Sequence, residues 1–269
     1  MSRASASESS DDGELMNDNT GETVGFEFEA FPIEENNTQA IHNLLTQIFL
    51  KSTALDVEGL AKFIAHNSAN LGHVIQLAED AVADDEDVET IFAVCTIVDI
   101  TGNDNESKMK LREFIQGRLQ KSEATGSTKT SIQTLLACDK LSLWINERWL
   151  NIPKALAVSS VQNLLTEADN LKGMKDRELC YFMKIYTNDG KQIAKKSSKV
   201  LFANPEEEHL FNAVKSYPYF DYNVSGEVDP DSKFASKVVD GVVYQPARRI
   251  VFFPYKELEN ISVVIQIEE

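Results

Sequence analysis

The chain has 269 residues, 42% of them hydrophobic and 26% charged, and its 26 basic residues stand against 43 acidic ones for a formal net charge of −17. Such a chain can bury a sizeable core, and its field repels phosphate backbones, so direct nucleic-acid binding is disfavoured and basic proteins are favoured as partners. No run approaches the roughly 20 apolar residues of a membrane span, and the first residues, MSRASASESSDDGELMNDNTGE, lack the apolar core of a secretory signal, so neither a membrane nor a secreted protein is expected.

Residues 1–23 set six acids against Arg3, a net −5 in a Ser/Asn/Gly-rich stretch, and read as a disordered acidic tail. Residues 25–31 alternate as a strand that Pro32 ends. Ile41, Leu44, Leu45, Ile48 and Phe49 form a helical stripe, repeated by Val57, Leu60, Ala61 and Ile64 behind an Asp56 cap. Residues 72–78 are a short apolar run. Glu79, Asp80, Asp84, Asp85, Glu86, Asp87 and Glu89 follow, a −7 block expected to form a hairpin loop. Residues 90–100, β-branched without alternation, read as a strand covered on both faces. Leu111, Phe114, Ile115 and Leu119 mark a helix, residues 124–129 a flexible loop, residues 130–138 a short helix, and Leu141, Leu143 and Ile145 a strand. Pro153 opens a helix through Glu167.

The second half repeats the alternation. Residues 179–186 read as a strand, and the stretch from Lys172 to Lys199 carries a net +5, the one basic patch of note. Lys195-Lys196 within it is a weak candidate import signal. Residues 200–202 are a short return strand, and Asn204-Pro205-Glu206-Glu207 is a helix start with cap, proline and first-turn acids. Strands are expected at 219–224, 249–253 and 262–267, with a long loop before the second. No linker divides residues 24–269, and the order favours a single α/β domain built on one mixed sheet.

The residue patterns of common chemistries are missing. Gly126-Ser127-Thr128-Lys129-Thr130 resembles a phosphate loop, but Glu123 and Thr128 stand where glycines are needed for backbone amides to converge on phosphate. His42, His66, His73 and His209 have no partners at zinc spacing, and the acidic block lacks the central glycine of a calcium loop. Neither metal nor cofactor is expected. Cys95, Cys138 and Cys180, odd in number and widely spaced, read as reduced thiols of a cytosolic or nuclear protein.

Four segments carry a family resemblance: Phe26–Phe31 leading into Asn43–Lys51; Asn146-Glu147-Arg148-Trp149-Leu150-Asn151-Ile152-Pro153; Leu201-Phe202-Ala203-Asn204-Pro205-Glu206-Glu207-Glu208; and Arg249-Ile250-Val251-Phe252-Phe253-Pro254. In this order and spacing, behind an acidic tail, they resemble the BCCIP family, named for binding a breast-cancer recombination protein and a cyclin-dependent-kinase inhibitor. The resemblance implies a fold like the GCN-type N-acetyltransferases without that activity, and no Arg/Gln-x-x-Gly-x-Gly/Ala turn for coenzyme A occurs. It also implies a nuclear, non-enzymatic protein, with shuttling to the cytoplasm left open. Such a protein escorts a basic ribosomal protein of the large subunit and supports subunit production and export. The alternative is a scaffold for a recombination mediator and a cyclin-dependent-kinase inhibitor. Candidate partner-binding residues are Asp84, Asp85, Glu86 and Asp87 in the acidic block and Glu206, Glu207 and Glu208 from the family-like segment, with a structural role the stronger reading of the last three. Glu147, Arg148 and Trp149 match the family segment and are read as fastening a strand end to the next helix.

Overall fold

A run of buried β-branched residues on both faces of a strand requires a helical layer on each side, and the molecule supplies both. The computed structural model describes residues 27–68, 70–78, 90–188 and 199–267. Its strands are β1 (Phe28–Pro32), β2 (Gly72–Leu77), β3 (Ala93–Asp99), β4 (Leu141–Arg148), β5 (Glu178–Thr187), β6 (Val200–Phe202), β7 (Tyr219–Asn223), β8 (Lys237–Val239) and β9 (Val242–Pro254). Its helices are α1 (Thr38–Phe49), α2 (Val57–Asn67), α3 (Glu106–Lys121), α4 (Gly126–Leu136), α5 (Lys154–Ala168), α6 (Pro205–Val214) and α7 (Glu257–Ile267). Among the described residues the strands form one mixed sheet in the order β1-β2-β3-β4-β5-β9-β7, with β6 added to β5 and β8 to β9. All neighbours are antiparallel except β4 and β5, which α5 joins as a parallel crossover. No helix among the described residues is long and apolar enough to cross a membrane.

The pleat divides the core. Val94, Val98, Leu143, Ile145, Cys180, Phe182 and Ile250 face a layer made by α1, α2, α3 and α4. Cys95, Ile97, Trp144, Tyr181, Met183 and Val251 face the opposite layer of α5, α6 and α7. Both helical stripes of the first half sit where their spacing placed them. Asp56 caps α2, its Oδ1 accepting the Gly59 amide at 2.9 Å.

Three segments differ from the sequence-based expectation. Residues 262–267 belong to α7, because Leu258 and Ile261, three apart, bury one face of a helix against the Tyr255 layer and this contact outweighs the β-branched run's preference for strand. The loop before β9 contains a hairpin: Asp240 and Gly241 both adopt positive φ, 49° and 76°, the geometry of a two-residue turn that matches the strands' twist. Residues 126–129 are not loop but the first turn of α4, capped by the Thr125 hydroxyl.

Gly72 begins β2 at φ 137°, and a Cβ there would lie 2.4 Å from Thr96 Cβ on β3. The glycine lets two adjacent strands close over the buried Thr96 hydroxyl. Gly72→Ala is expected to lower stability by roughly 2–3 kcal/mol, from backbone strain plus overpacking. A fall in the urea midpoint at unchanged slope is the expected result.

Candidate partner-binding face

The parallel pairing of β4 with β5 runs from Leu141↔Glu178 to Trp144↔Tyr181 and stops. Beyond it β4 continues alongside β3 to Arg148, while β5 continues alongside β9 to Thr187. The strands part, and the backbone of β5 loses its neighbour on that side. β6 takes up the far end, and the Ala203 amide donates to Lys184 O at 2.8 Å. The start of α6 then drops into the gap. Glu207 Oε2 accepts the Lys184 backbone amide at 3.1 Å, so a carboxylate replaces the missing strand, while Glu207 Oε1 accepts from Asn204 Nδ2 at 3.2 Å and from the Tyr181 hydroxyl at 3.4 Å. Asn204 thus caps a side chain rather than the helix backbone.

Ion pairs fill the rest of the wedge. The Lys184 ammonium pairs with Glu147, and these side chains are 1% and 2% exposed. Arg148 Nε and Nη2 donate to Glu206 Oε1 at 3.1 and 2.7 Å, and its Nη1 donates to Ile152 O at 2.7 Å. Arg248, on β9, donates to the carbonyls of Gln47 and Ile48 at 2.8 Å each, satisfying the C-terminal end of α1 with a cation. Trp149 Nε1 donates to Ile91 O at 3.0 Å, tying the end of β4 to the entry of β3. Burial pushes the Glu207 carboxyl up to about 8, aided by the negative fields of Glu147 and Glu206 and opposed by Lys184. Burial likewise raises Glu147, against the pull of Lys184.

Glu206 and Glu207 therefore point inward, and a partner docked on the surface does not reach them; Glu208 alone of the three is exposed. Their expected partner contact is corrected to an architectural role, and the fastening role read for Glu147, Arg148 and Trp149 is what the geometry supplies. Asp84, Asp85, Glu86 and Asp87 lie outside the described residues. So do Lys191, Lys195 and Lys196. The basic stretch is not one surface, because Lys184 is buried and Arg177 pairs with Asp99 at 2.6 Å. His73, read only as a surface or core imidazole, is buried on Glu167 at 2.8 Å, and among the described residues no group of His, Cys, Asp or Glu is arranged to hold a metal.

The strand registers carry an arrangement that spacing along the chain does not reveal. Phe28 pairs with Leu77, Ala93 with Arg148, and Gln245 with Thr187. The exit of residues 1–26, both ends of the acidic block at 78 and 90, the exit of the lysine-bearing segment after 188, and the start of α6 thus share one end of the sheet. The same end presents the β8–β9 hairpin, where Val238 and Val243 face each other at 69% and 42% exposure.

The BCCIP family model matches residues 23–210, most of the domain. The chain belongs to the BCCIP family. Among its relatives, the Protein BCCIP homolog of Caenorhabditis elegans is 27% identical over 88% of this chain and 77% of its own length. The BRCA2 and CDKN1A-interacting protein of Bos taurus is 28% identical over 89% of this chain and 82% of its own. The crystal structure of BCP1 from Saccharomyces cerevisiae superposes with a TM-score of 0.55 at 18% identity, covering 95% of this chain and 93% of that one, so the mixed α/β fold is shared despite wide sequence divergence.

Two outcomes test the wedge. Glu207 holds a proton in the folded state that the unfolded chain releases at its ordinary value of 4.5, so stability falls as pH rises from there to about 8 and levels above it. Glu207→Gln flattens that slope in denaturation curves taken across the window. Glu206→Ala leaves the Arg148 guanidinium buried without its carboxylate and costs about 3–5 kcal/mol, whereas Arg148→Met with Glu206→Leu costs markedly less; a double-mutant cycle on unfolding midpoints measures the difference.

Proposed function

We propose that this protein is a non-enzymatic nuclear chaperone that escorts a basic ribosomal protein of the large subunit and supports its subunit's production and export. The observation that carries the reading is the common exit of the acidic tail and acidic block from one end of the sheet, since together they account for −12 of the −17 net charge. A cationic partner awaiting its RNA is steered to such a focus by long-range attraction, and the acids cover what RNA later covers. The fold is read as GCN-type acetyltransferase-like. Where β4 and β5 part, the buried side chains of Glu147, Lys184 and Glu207 fill the gap and are held by one another and by the Lys184 main chain. This supports the binding reading over a catalytic one.

A second reading, a scaffold for a recombination mediator and a cyclin-dependent-kinase inhibitor, draws on the name borne by the Bos taurus relative and on the exposed Val238 and Val243, which suit apolar docking. Salt separates the two. Purified chain is expected to retain a large-subunit ribosomal protein from a salt-extracted mixture at about 0.05 M salt and to release it at about 0.3 M. Replacing Asp84, Asp85, Glu86 and Asp87 by their amides weakens retention several-fold. Retention indifferent to both salt and the substitutions overturns the escort reading in favour of apolar docking.

A further inference from the structure

β7 is the last strand of the sheet, and β9 is its one strand partner among the described residues. Phe252 donates to Pro218 O at 2.9 Å, and Val224 donates to Pro246 O at 3.1 Å. The even-numbered residues of β7 therefore turn their backbone groups to β9, and Tyr219, Asp221 and Asn223 turn theirs outward. Among the described residues no backbone or side chain bonds to that outer row. An exposed edge of this kind is ordinarily blunted by a bulge, a proline or charged side chains; β7 has neither bulge nor proline between its ends, and its one charge, Asp221, is taken up by Arg249.

The edge does not face open solvent. It forms one side of a groove of about 1000 Å³ whose other side is the end of α3 and the start of α4, with Lys121, Ser122, Thr125, Thr128 and Ser131 along it. One end of the groove reaches Thr187, Asn223 and Gln245, at the end of the sheet from which the acidic segments leave. Its lining sets Arg118 and Lys121 against Glu123 and Asp221; Arg118 pairs with Glu227, and Arg249 holds Asp221 at 2.7 Å while lying over the Phe211 ring at 4.0 Å. A charge-balanced, hydroxyl-lined middle suits an uncharged extended core. The acidic end suits a basic flank: β7 stands four strands from β3, where the acidic block joins the sheet, which is roughly 19 Å at ordinary strand spacing and more where β4 and β5 part, so about eight extended residues span it.

We propose that β7 is a strand-addition site, taking an extended segment of a partner protein whose uncharged core of about five residues pairs with Tyr219, Asp221 and Asn223 and whose basic flank runs toward the acidic end. Backbone hydrogen bonds supply the affinity, and the groove's hydroxyl wall and the Tyr219 face select the alternating side chains. The inference rests on the escort reading for its basic flank and goes beyond it in naming the docking strand.

The test uses the full chain and two synthetic peptides of equal charge, each with a Thr-Val-Thr-Val-Thr core followed by eight alternating lysines and arginines, one of them carrying proline at the central core position. The proline-free peptide is expected to bind at least about tenfold more tightly, because proline removes a donor and breaks the pairing. It is also expected to slow amide exchange of Tyr219, Asp221 and Asn223 selectively. Ser131→Trp, at an exposed wall position, and Asn223→Pro, whose amide faces the open edge, each abolish that difference while leaving the unfolding midpoint near wild type. Equal binding of both peptides by wild type, with no exchange protection on β7, overturns strand addition while leaving salt-dependent escort intact; no binding of either peptide at low salt removes both. Protection of the three amides in the free chain, or a dimer that Ser131→Trp dissolves, assigns the edge to this protein's own chain or to a second copy and likewise overturns the proposal.

Discussion

A backbone amide that has lost its strand partner must find another acceptor, and in this protein that requirement fixes the architecture around Lys184. β4 stays in register with β3 and β5 stays in register with β9, so the sheet behaves as two halves that share four residue pairs and then diverge. The helix after β6 begins in the gap because its second and third residues are carboxylates that can meet what the gap exposes: a main-chain N–H, a guanidinium and, across the wedge, an ammonium already paired with Glu147. Desolvating so many ionisable groups gives little net stability. It does fix how two half-sheets, α1 and α6 meet, since each charge is satisfied in one arrangement.

That arrangement divides the molecule between scaffold and surface. The interior of the wedge is committed to holding the strands, so its acids are withdrawn from solvent. The connections at this end of the sheet include the exposed valine pair of the hairpin and the segment carrying Lys191, Lys195 and Lys196. Variation in those connections leaves the ion pairs beneath untouched, the usual separation between a packed frame and surface loops.

Much of this was legible in the sequence and some was not, for physical reasons. The stripes of α1 and α2, the doubly covered β3, the Asp56 cap and the start at Pro205 follow from local periodicity and capping, which need no knowledge of distant contacts. Glu206 and Glu207 read equally well as solvated first-turn acids, because their inward turn depends on Arg148 and Lys184, 58 and 23 residues away. Asp240-Gly241 between valine pairs is a local hairpin signal, masked by the polar residues that precede it. The end of the chain failed differently: Ser262 to Ile267 is rich in β-branched residues, and the burial of Leu258 and Ile261 decided for helix. The convergence of charged segments is a property of register and becomes visible when strand pairs are known.

The two buried thiols sit on opposite faces of the sheet, Cys180 with the α1–α4 layer and Cys95 with the α5–α7 layer. Burial raises both well above the ordinary thiol range, so neither reacts while its own layer is seated. The protein thereby carries a native pair of alkylation reporters, one for each helical blanket, and the order in which they become labelled distinguishes detachment of one side from collapse of the whole.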